Sequence, residues 1–149
     1  MLALGGDAAI VDTGDPDETA EKIAAATGGA KIMTGFDCIA GKATETVARA
    51  LAEGGTVVCY GFASGLNAEM AFRDLFRRRL KLIGMSMADG RSPSERRAIY
   101  NDLIATLGTG ALKAKIAGRY RLEDIHAAYA HQAKNGAERD GKIIVLPNG

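Results

Sequence analysis

The stretch Leu51-Ala52-Glu53-Gly54-Gly55-Thr56-Val57-Val58-Cys59-Tyr60-Gly61 indicates the fold more clearly than any other part of the sequence. Its two central glycines end a segment of helical period. The next five residues, Thr56 to Tyr60, are mostly β-branched or apolar and do not alternate, which is typical of a strand covered on both faces. The stretch therefore predicts a helix followed by a buried strand. The apolar stripe of that helix is Ala43, Val47, Ala50 and Leu51.

Short apolar runs alternate with helical segments on both sides of this stretch. We predict further strands at Ala8–Val11, within Ile32–Ile39 and at Leu80–Met87. Gly35, inside the second of these, marks a bulge or a close backbone approach. The alternation is typical of βαβ units, so the fold class is α/β, with a largely parallel sheet and helices on both faces.

Two helices have clear start signals. Asp15-Pro16-Asp17-Glu18 offers an N-cap carboxylate with proline at the first helical position, and Ser92-Pro93-Ser94-Glu95 is a capping box. Near Ala111 the pattern changes to a β-α-β tail. The elements of that tail are a strand near Lys115–Tyr120, a helix from Leu122 to about Ala133 and a strand at Lys142–Leu146. We therefore predict two parts, residues 1–110 and 111–149.

The composition excludes several classes of function. Lysine and arginine number 19 against 18 acidic residues, so no strong field of one sign points to nucleic acid or an anionic membrane. No apolar run is long enough to span a bilayer. Cys38 and Cys59 match no metal or disulfide spacing, so we expect no metal site and a cytoplasmic location. The expected partners are a small molecule or a second copy of the chain.

Several motifs, taken together, resemble the second half of the medium-chain dehydrogenase/reductase superfamily. Their order and spacing, more than any one of them, carry the resemblance. They are Leu4-Gly5-Gly6-Asp7-Ala8, Phe36-Asp37-Cys38-Ile39-Ala40-Gly41, the stretch from Leu51 to Gly61, Ser64-Gly65, Lys81-Leu82-Ile83-Gly84-Met85, Leu122-Glu123-Asp124-Ile125-His126-Ala127-Ala128 and Gly141-Lys142-Ile143-Ile144-Val145-Leu146-Pro147. Tyr60-Gly61 and Ser64-Gly65 are similar to the zinc-independent branch of quinone oxidoreductases and enoyl reductases.

This resemblance implies strands three to six of a Rossmann-type sheet, followed by a tail that belongs to the substrate domain. It implies an NAD(P)H-dependent oxidoreductase that reduces quinones, enals or enoyl thioesters, with NADP favoured over NAD as the cofactor. It also implies a homodimer formed through the strand Leu80–Met87. Three positions depart from the family pattern, which has an acidic residue at Met33, a β-branched residue at Gly35 and a glycine at Ala40.

The predicted cofactor residues follow from strand ends and from the family. Loops at the carboxyl ends of parallel strands face the ligand crevice, where glycine permits close approach of a ligand. Thr13 stands where many quinone reductases place a tyrosine against the adenosine phosphate. The predicted set is Thr13, Gly41, Gly61, Phe62, Gly84, Met85, Ser86 and Lys142. No side chain stands out as the catalytic proton donor.

The sequence contains no Gly-x-Gly-x-x-Gly turn, the element that binds the pyrophosphate in such folds. We therefore expect weak or absent NADP binding and no reductase turnover from this chain alone. A non-catalytic interaction or dimerisation module derived from a reductase is the alternative. Two readings also remain for the basic run formed by Arg73, Arg77, Arg78, Arg79 and Lys81: a phosphate contact or a solvated face.

Overall fold

The computed structural model describes residues 2, 5–86, 90–134 and 136–148. Contacts divide the chain into two compact units, Met1–Gly90 and Arg91–Gly149. The α/β class predicted from the sequence is confirmed. The predicted functional division between residues 110 and 111 stays a prediction.

Three short parallel strands form the sheet of the first unit. They are β1 (Thr34–Asp37), β2 (Thr56–Cys59) and β3 (Lys81–Gly84), in the order β1-β2-β3. Val57 and Val58 of the central strand are buried, as the run of β-branched residues predicts, whereas β3 is exposed along its length at the edge. Met87, the predicted end of this strand, and Leu4, the first residue of the first motif, lie outside the described residues.

Three helices accompany this sheet: α1 (Pro16–Ala26), α2 (Lys42–Ala50) and α3 (Phe72–Arg77). Ala48 and Leu51 pack with Val57 of β2 and with Leu80 to form the core. A side chain at Gly35 would come within 2.3 Å of Val47, so the close approach predicted at this glycine is found between β1 and α2.

The predicted stripe of α2 is partly wrong. Thr44 and Ala48 are fully buried, whereas Ala43, Val47 and Ala50 are only partly buried. The helix turns its Thr44 side inward because the hydroxyl of that residue binds a buried carboxylate, and Ala48 follows one turn later on the same face.

The strand predicted at Ala8–Val11 does not form. These residues join no ladder, and Val11 is 84% exposed. Four residues gain little as a strand without a partner, and among the described residues no strand lies on the outer side of β1. The segment after Val11 binds α1 instead, where the Thr13 amide donates to Thr19 Oγ1 at 3.1 Å.

A cluster of charged side chains links the helices of the first unit. Asp74 is 2% exposed and lies 3.3 Å from Arg78 Nη1 and 3.7 Å from Arg49 Nη1. Arg78 also donates to the carbonyl of Leu51, just after α2. The hypothesis that the basic run around Arg78 is a solvated face is therefore wrong for Arg78 itself, because its side chain is partly buried and bonds to Asp74 and to the backbone.

The second unit contains one long helix and a β-α-β arrangement. The helix α4 (Pro93–Gly108) starts at the predicted capping box of Ser92 and Glu95. Parallel strands β4 (Ile116–Arg121) and β5 (Lys142–Leu146) flank α5 (Ile125–Gln132), and short 3-10 turns occupy Leu122–Asp124 and Gly136–Glu138. No helix in the described part of the chain is both long and apolar enough to cross a membrane.

Candidate functional site

A cleft of about 640 Å³ opens at the carboxyl ends of the three parallel strands. This size lies within the range of about 300–1,000 Å³ that is usual for small-molecule sites. The position is the one where open parallel sheets bind ligands. The lining residues are Ala40, Cys59, Tyr60, Gly61, Phe62, Leu66, Ala68, Gly84, Met85 and Ser86.

Five of the eight predicted cofactor residues meet in this cleft. They are Gly61, Phe62, Gly84, Met85 and Ser86. Gly41 lies next to it, since its backbone bridges to the lining residue Ala68. Thr13 lies beside the start of α1, and Lys142 belongs to the second unit. The strand ends thus come together as predicted, while the role of each residue in cofactor binding stays a prediction.

Gly61 and Gly84 both line the cleft, but the lack of a side chain has a different effect at each position. A Cβ at Gly61 would lie 2.7 Å from the carbonyl oxygen of Cys38, so this glycine allows the two loops to pack closely. A Cβ at Gly84 would meet nothing within 4 Å, and Gly84 is outside the left-handed region of backbone conformation. The lack of a side chain at Gly84 therefore leaves space in the cleft. At Gly61 the fold requires glycine, because a side chain there would clash with the Cys38 loop.

Asp37, at the end of β1, organises the loop that forms one wall of the cleft. Its Oδ1 accepts hydrogen bonds from the amides of Ile39 at 2.8 Å and Ala40 at 3.2 Å, and its Oδ2 accepts one from Thr44 Oγ1 at 2.7 Å. Burial opposes ionisation of this carboxylate, but these hydrogen bonds outweigh burial and lower the pKa of Asp37 below its ordinary value. Asp37 therefore carries a negative charge at neutral pH.

The sequence interpretation missed Asp37 because one acidic residue after a strand has no distinctive pattern. Ala40, which stands where the family pattern has a glycine, was a usable sign that this loop has an unusual backbone conformation. Ala40 has φ of 67°, in the left-handed region where glycine is favoured, and it is followed by Gly41 with φ of 60°. The glycine that resembling proteins have at this position fits that conformation without strain.

Tyr60 lies in the cleft, although a tyrosine that ends a strand is more often packed and the predicted cofactor set left it out. It lines the cleft and is half exposed, and its ring contacts Phe36 edge to face at a centroid distance of 6.4 Å. Interaction with Cys38 raises the pKa of Tyr60 above its ordinary value. The hydroxyl is therefore protonated at neutral pH and is able to donate a hydrogen bond to a ligand in the cleft.

Burial and the Asp37 charge raise the pKa of the Cys59 thiol, which lies 3.9 Å from Asp37 Oδ2. A thiol in this state is a poor metal ligand and a poor nucleophile. Among the described residues, no three His, Cys, Asp or Glu side chains come together as a zinc site requires. The residues described therefore do not fit zinc.

Comparisons with known proteins agree with this fold. The sequence model of the zinc-binding dehydrogenase family matches residues 4–145. The chain belongs to this family, within the medium-chain dehydrogenase/reductase superfamily, so the resemblance inferred from its motifs is confirmed. No protein of curated function matches it.

Similar solved structures include a candidate alcohol dehydrogenase from Sinorhizobium meliloti 1021, with 26% identity and a TM-score of 0.76 over 99% of this chain and 38% of that one. A mycobacterial protein in complex with NADPH has 22% identity and a TM-score of 0.76, over 96% and 44%. A quinone oxidoreductase of Pseudomonas syringae pv. Tomato DC3000 has 22% identity and a TM-score of 0.69, over 86% and 39%. The chain thus spans about two fifths of the length of these proteins.

Proposed function

We propose that the cleft binds the nicotinamide half of NADPH and that this chain is part of an oxidoreductase that reduces quinones, enals or enoyl thioesters. The observation that carries the proposal is the cleft itself. It lies at the carboxyl ends of the parallel strands, has open space at Gly84 and is also lined by the Tyr60 hydroxyl. Membership of a dehydrogenase family and the NADPH complex of a similar structure support the same cofactor.

The residues of the cleft have separable tasks in this proposal. The backbone at Gly84 lets a flat nicotinamide ring approach, because no side chain occupies the space there. Phe62 and Leu66 supply apolar surface that excludes water from the ring, and Tyr60 supplies a hydrogen-bond donor for a carbonyl oxygen. The cofactor supplies the hydride, and the protein orients it and polarises the acceptor.

Asp37 and Thr44 position the cleft rather than touch its ligand. Their hydrogen bonds fix the turn from Ile39 to Ala40, and Ala40 lines the cleft. Tight binding of NADPH also needs pyrophosphate contacts, for which these 149 residues offer no glycine-rich turn. We therefore expect the chain to bind the nicotinamide half weakly and to show no reductase turnover alone.

We also propose that two copies associate through the edge strand β3. Leu82 and Ile83 are 40% and 48% exposed on this strand, and its outer edge has no partner among the described residues. An exposed apolar edge is a template for pairing with a second chain across a two-fold axis.

The experiment that tests the cofactor proposal is an NMR titration of the 149-residue chain with 1-benzyl-1,4-dihydronicotinamide. This probe has the nicotinamide ring but no phosphate or adenosine. Saturable shifts of the amides of Gly61, Phe62, Gly84 and Met85 are expected, with a weak affinity near the millimolar range that is typical of a fragment. Shifts that do not saturate, or that fall on other residues, would count against the proposal.

A further inference from the structure

The second unit contains a separate cavity of about 450 Å³ with a strongly basic lining. Four of its lining side chains are cationic and none is acidic. The cationic residues are Lys113, Lys115, Arg139 and Lys142, and the remaining lining residues are Ala114, Gln132 and Gly141. The cavity shares no residue with the cleft of the first unit.

Strand pairing brings these distant residues together. Ile116 of β4 pairs with Lys142 of β5, and the Lys142 amide donates to the Lys115 carbonyl at 2.8 Å. Gly141 makes this junction possible, since its φ is 147° and a Cβ there would lie 2.5 Å from the Lys115 carbonyl oxygen. The lysines before β4 and at the start of β5 are therefore fixed at one end of the two-stranded sheet.

The described carboxylates do not neutralise most of the positive charge around this cavity. Lys115 pairs with Asp140 at 2.5 Å, but Lys113 and Lys142 form no ion pair with a described carboxylate. The imbalance extends to the whole unit, because residues 91–149 contain ten Lys and Arg against six Asp and Glu, whereas residues 1–90 contain nine against twelve. Like charges held together at a concave surface favour an anion.

A structural role within the fold explains the position of only one of the four cationic side chains, that of Arg139. The carbonyls at the carboxyl end of α5 attract positive charge, and Arg139 donates to the Gln132 carbonyl there at 3.5 Å. No described hydrogen bond joins the ammonium groups of Lys113 or Lys142 to that end of the helix. These two lysines are therefore available to a ligand.

We propose that this cavity is an anion site that binds a phosphate ester or a diphosphate. Lys113 and Lys142 contact the phosphate oxygens, and Arg139, held by the Gln132 carbonyl, contributes its guanidinium from the opposite segment. The cavity accepts the phosphate of a larger molecule because it is open to solvent at these side chains. This site does not depend on nicotinamide binding in the cleft.

The test is an NMR titration of the 149-residue chain with sodium pyrophosphate at constant ionic strength. We expect saturable shifts of the amides of Lys115, Arg139, Gly141 and Lys142. Lys113→Gln and Lys142→Gln should each weaken binding about fivefold, as expected for one partly solvated charge contact. The control is Arg121→Gln, which removes a positive charge that pairs with Glu123 at the far end of β4, about 16 Å from Ile116 at roughly 3.3 Å per residue.

Competition experiments identify the source of the phosphate. Displacement of pyrophosphate by NADPH but not by NADH would assign the site to the 2′-phosphate of the dinucleotide, and displacement by coenzyme A but not by dephospho-coenzyme A would assign it to the 3′-phosphate of a thioester carrier. Displacement by neither would support a site for free phosphate or diphosphate. Absence of saturable pyrophosphate shifts, or equal weakening by Arg121→Gln, would overturn the proposal.

Discussion

Replacing Asp37 by alanine should destabilise the first unit strongly and deform the wall of the cleft. The carboxylate is 3% exposed, and its removal leaves the amides of Ile39 and Ala40 and the hydroxyl of Thr44 without their partner. Each unpaired buried amide costs about 1–3 kcal/mol, and relief of the buried charge offsets part of this. We expect a loss of about 3 kcal/mol in the free energy of unfolding.

Two milder variants separate the contributions within this network. Asp37→Asn retains an oxygen for the two amides but loses the charge, so a loss of about 1–2 kcal/mol is expected. Thr44→Val removes only the hydroxyl, and about 1 kcal/mol should be lost. Because the two side chains bond directly, their effects should not add in a double-mutant cycle.

The pH dependence gives an independent check. The pKa of Asp37 is lowered in the folded chain, so its ionisation contributes stability above the ordinary value of 3.8, and this contribution is lost as the pH falls through the lower folded pKa. The stability difference between the wild type and Asp37→Asn should therefore shrink below about pH 4. Urea unfolding followed by circular dichroism at several pH values measures both effects. A loss below about 1 kcal/mol in Asp37→Ala at pH 7 would show that these hydrogen bonds do not hold the loop in place.

Three further predictions concern the core, the charged cluster and the edge strand. Gly61→Ala should lower the melting temperature, because its Cβ would meet the Cys38 carbonyl, whereas Gly84→Ala should leave it nearly unchanged; thermal scans of both variants test this. Asp74→Ala should cost about 2 kcal/mol, because Arg78 loses its carboxylate partner while Arg49 keeps its ion pairs with Glu45 and Asp17; Glu53→Ala, which breaks only the exposed pair with Arg79, should cost less than about 1 kcal/mol in the same denaturant titrations. Ile83→Lys should convert a dimer to a monomer in sedimentation experiments, and a wild-type chain that is monomeric at tens of micromolar would contradict pairing through β3.

The sequence predicted those elements whose signals are local. The capping box at Ser92 and the N-cap at Asp15 are found as predicted, because the side chain and the amides that it binds lie within three residues of each other. The strand β2 was predictable from its uninterrupted β-branched run, because such a run is suited to burial on both faces. The strand ends of the cleft followed from parallel topology, since the carboxyl ends of parallel strands share one edge.

Features that depend on distant partners were predicted less well. The run Ala8–Val11 has the composition of a strand, but a strand needs a ladder neighbour, and composition does not report whether one exists. The inward face of α2 was misassigned because the partner of Thr44 is Asp37, seven residues away in a different element. The basic cavity depends on the pairing of Ile116 with Lys142, a contact between residues that share no local pattern.

Saturation-transfer NMR with NADPH is the sharpest test of nicotinamide binding in the cleft, because it reports which protons of the cofactor touch the protein. The nicotinamide protons should receive saturation from the wild-type chain and lose most of it in Gly84→Val, whose side chain would fill the open space of the cleft. Gly108→Val is the matched control, since a Cβ at Gly108 also meets nothing within 4 Å but lies outside the cleft. This control should retain the wild-type nicotinamide signal. Equal nicotinamide saturation in Gly84→Val and in the wild type would show that the nicotinamide does not bind at Gly84.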